Sequence, residues 1–174
     1  MSVSVVWFKR DLRISDNPAL LAAINSGTDA VICISVVEPS RLQRKDVDAI
    51  HIQWELDCLT ELRTSLESIG GRLLFHHGEV VEYLSQLNSV HNITGLFCNE
   101  ETGLEWSWER DKEVAQWCVS NNITFTEFPT NGVVRGLKSR DDWKKLRDAR
   151  ITAECVDTPV QMNTPEGLES NSLP

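Results

Sequence analysis

Five short apolar runs, rich in Val, Ile, Leu and Phe, are separated along this chain by longer stretches whose apolar positions recur every three to four residues. Runs of that kind read as buried strands and the stretches between them as amphipathic helices, the pattern of βαβ units on a parallel sheet. The strands are predicted over residues 2–9, 30–37, 72–76, 93–98 and 123–128. A first helix opens with Asn17 as its cap and Pro18 at the first helical position, where a missing N–H costs nothing, and Gly27 follows its end near residue 25. A second, over residues 46–69, carries Trp54, Cys58 or Leu59, Leu62, Leu66 and Ile69 on one face and stops at Gly70-Gly71. A third covers 79–87, with Val80, Val81, Leu84 and Leu87 inward. A fourth covers 102–121, opened by a capping box between Thr102 and Glu105. A short helix over 141–150 comes last. The expected fold class is α/β, an open, doubly wound, Rossmann-like sheet of five parallel strands in the order 3-2-1-4-5.

The pattern fades after Val156, where prolines and small polar residues dominate. The expected organisation is therefore one α/β domain over residues 1–155 and an interdomain linker or tail over 156–174. A length of 174 residues and a hydrophobic fraction of 41% suffice for one core. With a net charge of -9, bulk electrostatics do not invite nucleic acid to this chain. Five cysteines without close pairs fit reduced thiols rather than a disulfide framework or a zinc site. No stretch approaches membrane-spanning length and the first strand leaves no room for a leader, so a soluble, cytoplasmic protein is expected.

Ligands of such sheets bind beyond the carboxyl ends of the strands, where the strand order reverses. Here that crevice lies beside the first strand. It gathers Phe8, Lys9 and Arg10, then Val37 and Glu38, and then Cys98, Asn99, Glu100 and Glu101. The first turn has neither a glycine-rich loop nor a Walker pattern, so a polyphosphate is a poor fit. Carboxylates and an amide beside apolar strand ends suit a heteroaromatic ring with N–H and carbonyl edges, stacked near Phe8. Neither Glu38 nor Glu100 reads as core, so alanine at either is expected to weaken such a ligand about fivefold and spare the fold. Arg10, Asp11 and Arg13 read equally well as an ion-pair and capping cluster. Most of the six tryptophans read as packing, with one of Trp106 and Trp108 exposed. His76 and His77 lack a third ligand at metal spacing, and no metal site or catalytic triad is expected.

The stretch VVWFKRDLRISDNPAL closely resembles the start of the photolyase and cryptochrome family, matching its basic-x-Asp-Leu-Arg-x-x-Asp-Asn run from Trp7 to Asn17. HHGEVVEYL and ERDKEVAQW resemble further segments of that family. The resemblance implies an N-terminal domain that holds a light-harvesting antenna chromophore, and a helical region elsewhere in the parent protein that binds FAD, contacts DNA and performs the photochemistry. On that reading this chain alone is not catalytic, repairs no DNA and binds no FAD tightly. Its partner is the helical FAD domain, it meets DNA only through that domain, and a homodimer could form through a bared docking face that includes Val133, Val134 and Leu137. NEETGLEWSWERDK resembles the iron-sulfur bacterial branch, which implies a ribityllumazine antenna, with flavin or deazaflavin as alternatives. Folate is disfavoured, because Trp106 and Ser107 stand where folate-binding members carry an Asn-Glu pair ahead of the Arg110-Asp111 positions. Two other readings stay open: an empty structural domain that docks the helical half, and a free-standing nucleotide-binding α/β protein.

Overall fold

Positions Val3 to Phe8 of the first strand are all buried, with odd and even side chains entering different cores. In the computed structural model, which describes residues 1–173, the elements run β1 (Ser2–Phe8), α1 (Pro18–Ile24), β2 (Ala30–Val37), α2 (Pro39–Leu42), α3 (Ala49–Ser68), β3 (Leu73–His77), α4 (Val80–Val90), β4 (Asn92–Asn99), α5 (Glu105–Ser120), β5 (Thr124–Phe128) and α6 (Trp143–Ile151). The five strands form one parallel sheet in the order β3-β2-β1-β4-β5, as the sequence predicts. Both sheet faces are covered, which is why β1 and β2 read as continuous apolar runs. On one face Val5, Trp7, Ile32, Ile34 and Cys98 pack with Val80 and Leu84 of α4 and with Val114 of α5. On the opposite face Val6, Phe8, Val31, Cys33 and Phe75 pack with Leu20 and Ala23 of α1 and with Leu59, Leu62 and Leu66 of α3.

Two expectations need correction. Trp54 lies 72% exposed rather than in the core. At about 100° per residue it falls well to one side of the Leu59, Leu62 and Leu66 stripe, while Glu55 falls on it and binds Arg41 of α2 at 2.5 Å. That pairing follows from α2, a four-residue helix that the apolar periodicity did not reveal. The Thr102–Glu105 capping box does not form: α5 starts at Glu105 behind Leu104, and the Thr102 hydroxyl instead accepts a hydrogen bond from Asn131 at 2.8 Å. Trp54→Ala should therefore change unfolding free energy by less than about 0.5 kcal/mol, and Leu59→Ala, at a fully buried site, should cost about 2–5 kcal/mol. Urea titration of the two variants checks the contrast.

The segment after Val156 adds a feature that its composition does not reveal. Its described residues contain no helix or strand, as the composition predicts, and they are fastened to the domain as a strap. The Val156 N–H donates to Asp16, Met162 N–H to the Ile69 carbonyl at 2.8 Å, and Val31 N–H to the Asn163 carbonyl at 2.8 Å. Met162 is 5% exposed, Leu168 packs against the α4/α5 core and Leu173 against the α1/α3 core. The strap thus wraps the β3 edge and reaches both faces. Gly70 and Gly71 admit it: a Cβ at Gly71 would lie 2.5 Å from the Met162 sulfur, and one at Gly70, where φ is +87°, would lie 2.9 Å from the Met162 carbonyl.

Candidate functional site at the carboxyl ends of the strands

Period two carries Trp7 and Lys9 to one side of the sheet and Phe8 to the other, so the residues expected in one crevice separate into two groups. On the α1 side, Asn17 caps α1 by accepting the Leu20 N–H at 3.1 Å, and its amide donates to the Arg13 carbonyl at 2.9 Å and to Asp11. Asn99 donates to Asp11 and, at 3.0 Å, to the Asn17 oxygen, leaving its own buried Oδ1 without a partner. Asp11 and Arg13 are accordingly loop and cap residues, with Arg13 donating to the Ser15 and Asp16 carbonyls. Asn17→Ala should cost about 1–2 kcal/mol, since it removes the cap and a partner of Asn99; thermal melts against wild type measure it.

On the α5 side a charged network closes the sheet end. Lys9 lies 3.0 Å from Asp111 and 3.5 Å from Glu127. Arg110 donates to Glu38 at 3.2 Å, to Glu101 at 2.7 Å and to Asp111 at 3.0 Å, its guanidinium set between the rings of Trp7 and Trp106 at 4.6 and 4.9 Å. Arg10 binds Glu101 at 2.7 Å from outside, its side chain 69% exposed. Arg135, from the loop after β5, binds Asp111 at 3.0 Å and Glu127 at 2.6 Å and lies over Trp108, while Arg150 of α6 binds Glu100 at 3.0 Å. The five carboxylates of the network therefore meet five cations. Charge balance is what permits such a cluster in a desolvated place.

Two helix starts are tied into it reciprocally. Glu38 accepts the Val80 N–H at the start of α4, and Glu79 accepts the Ser40 N–H at the start of α2 at 3.0 Å. Burial pushes the Glu38 carboxyl above its ordinary pKa despite Arg110. Burial also pushes Glu101 up, but Arg110 and Arg10 outweigh it and hold that carboxyl below the usual range. For Lys9 burial works downward, and the neighbouring negative charge, Asp111 included, leaves the net shift upward. Burial pushes the Cys98 thiol up to about 12.

The predicted positions fare unequally. Lys9, Arg10, Glu38, Glu100 and Glu101 meet in this network. Asn99 faces the α1 group. Phe8, Val37 and Cys98 are core side chains, 1%, 4% and 0% exposed, so the expectation that Phe8 offers its ring to a ligand is corrected. So is the expectation that Glu38 is not core: it is 2% exposed and paired. Sequence reasoning left out Arg110, Asp111, Glu127, Arg135 and Arg150 as site residues. The signal for the first two was present, since helical period puts them on the same face of α5 as Val114 and Cys118. Among the described residues no group of three or more His, Cys, Asp or Glu side chains is arranged to hold a metal, and no helix is long and apolar enough to cross a membrane.

The family model for DNA photolyase matches residues 4–146, which takes in the sheet from Ser4 onward and every member of the network except Arg150. The chain belongs to the DNA photolyase family. A cryptochrome-1 of Spalax judaei is 26% identical across the whole chain, which spans 31% of that protein. Two solved structures share the photolyase-family fold. A bacterial class III photolyase from Agrobacterium tumefaciens superposes with a TM-score of 0.81 at 24% identity, over 99% of this chain and 37% of that one. An archaeal photolyase from Sulfolobus tokodaii, solved with two FAD molecules and described as implying a novel light-harvesting cofactor, superposes with a TM-score of 0.71 at 21% identity, over 93% and 37%. The chain thus spans about a third of the length of these relatives.

Proposed function

We propose that this photolyase-family domain is the antenna-chromophore-binding part of a blue-light photolyase or cryptochrome, without catalysis of its own. The reading places FAD and DNA contact in a helical partner domain, residues 156–174 in the connection to it, and the assembly in the cytoplasm. The observation that carries it is the prearranged charged floor at the switch point of the sheet, where α/β folds bind their ligands. The light-harvesting cofactor named for the Sulfolobus photolyase supports it from outside. Because Glu38, Glu101 and Arg110 already satisfy one another, the ring falls to the outer rim: Arg10, the 56% exposed Leu104 and the 39% exposed Trp108. The proposed ring is a ribityllumazine, with flavin and deazaflavin as the alternatives and folate disfavoured.

Titrating the chain with a ribityllumazine, followed by its fluorescence, tests this. Arg10→Ala should weaken binding about fivefold and leave the circular dichroism unchanged, because the exposed guanidinium carries little of the fold. Unchanged affinity in that variant, or no saturable binding by the parent chain to any of the three rings, removes the reading. The second reading, a docking domain for the helical half, is favoured by one observation. Val133, Trp143, Leu146 and Ile151 are 54%, 44%, 40% and 51% exposed on one stretch of chain, in keeping with a bared face near Val133.

A further inference from the structure

The outer edge of β3 is Leu73-Leu74-Phe75-His76-His77, with none of the Lys, Pro or acidic residues that usually blunt an exposed strand. Its outward backbone groups are met by side chains of the strap. Leu73 N–H donates to the Ser170 hydroxyl at 3.1 Å, Phe75 N–H donates to the Asn171 oxygen at 2.8 Å, and the Asn171 amide donates back to the Phe75 carbonyl at 2.5 Å. Arg63 holds the Asn171 carbonyl at 2.5 Å, which orients the residue. The Asn171 side chain therefore reproduces on Phe75 the paired N–H and C=O that an antiparallel strand residue would present. A side-chain amide imitates one peptide of a neighbour, and only one.

We propose that Ser170 and Asn171 are a removable guard on a strand-pairing surface, and that the occupant of the unguarded edge is the β3 edge of a second copy of this chain. The edge is self-complementary. Placing Phe75 opposite Phe75 of the other copy lets the two residues exchange both hydrogen bonds about a two-fold axis, giving a closed dimer with one continuous sheet rather than a fibre. The edge carries no fixed charge along Leu73 to Phe75 to oppose this approach. The whole chains, at -9 each, do repel one another, so pairing strengthens as salt rises.

The test is the double variant Ser170→Ala, Asn171→Ala in the otherwise unchanged 174-residue chain, accepted once circular dichroism and a cooperative melt show it folded. Sedimentation should give a monomer for wild type and twice that mass for the variant at about 100 μM, with the dimer favoured by added salt. In the dimer the Phe75 amide stays protected from exchange; on dilution it should exchange at least about tenfold faster than in wild type. A folded monomeric variant, an open-ended polymer, or a wild-type dimer formed with the strap in place each overturns the proposal. Should the double variant not fold, Asn171→Ser takes its place under the same outcomes. Failure of both to fold also overturns it, because a guard must be dispensable to the monomer.

Discussion

Replacing Arg110 with alanine is expected to lower the unfolding free energy by about 3–5 kcal/mol, the range seen when one partner is removed from a buried ion pair. The guanidinium is shared by Glu38, Glu101 and Asp111 and clamped between Trp7 and Trp106, so its loss leaves Glu38, 2% exposed, without a cation, leaves Glu101 with Arg10 alone and Asp111 with Lys9 and Arg135, and opens the space between two rings. Arg110→Lys keeps the charge but gathers it on one compact ammonium, without the fork that spans the three carboxylates or a plane to stack between the rings, and should be intermediate. The pH dependence separates this from a simple cavity. In wild type, Glu101 sits below its ordinary pKa, so its contribution is present above the unfolded value and is lost as pH falls through the folded one. Glu38 sits above its ordinary value, so its ionised form costs stability near neutrality and that cost is relieved as pH falls. In Arg110→Ala Glu38 loses its cation and rises further, while Glu101 loses one of its two cations, keeps Arg10 and moves up from its lowered position. The variant should therefore regain stability from pH 7 toward about pH 5, where the folded state takes up more protons than the unfolded one. Urea midpoints across that window read the result; a variant that only loses stability on acidification contradicts the assignment.

Met162→Ala should cost about 2–4 kcal/mol, a large effect for a residue in a segment without regular structure. Its side chain is 5% exposed against the α1/α3 core, and the backbone of Met162 and Asn163 fixes the strap at Ile69 and Val31. Gly71→Ala should act on the same contact from the other side, since the new methyl would meet the Met162 sulfur at 2.5 Å and the Leu66 carbonyl at 3.1 Å. The two substitutions share one contact, so their effects should fall short of additive. Denaturant unfolding of both single variants and the double checks this, and a Met162→Ala cost below about 0.5 kcal/mol would show the strap to be loosely held.

The sequence by itself determined the sheet, its order and the helices that cover it. Those features rest on local periodicity, on caps such as Asn17-Pro18 and on breaks such as Gly70-Gly71, all of which are written within a few residues of where they act. The motif from Trp7 to Asn17 likewise identified the family. What only the tertiary structure decided are the pairings across the chain. Lys9 meets Asp111 and Glu127, Glu38 meets Arg110, and Asn171 meets Phe75; the Lys9–Asp111, Glu38–Arg110 and Phe75–Asn171 partners stand 102, 72 and 96 positions apart. Charge and hydrogen bonding carry no periodicity that reveals a distant partner, so the sequence could not say what Arg110 and Asp111 pair with, nor that residues after Val156 lie against the β3 edge. Their burial depends on groups that arrive from elsewhere in the fold, because a charged or polar side chain stays inside only where its partners are already in place.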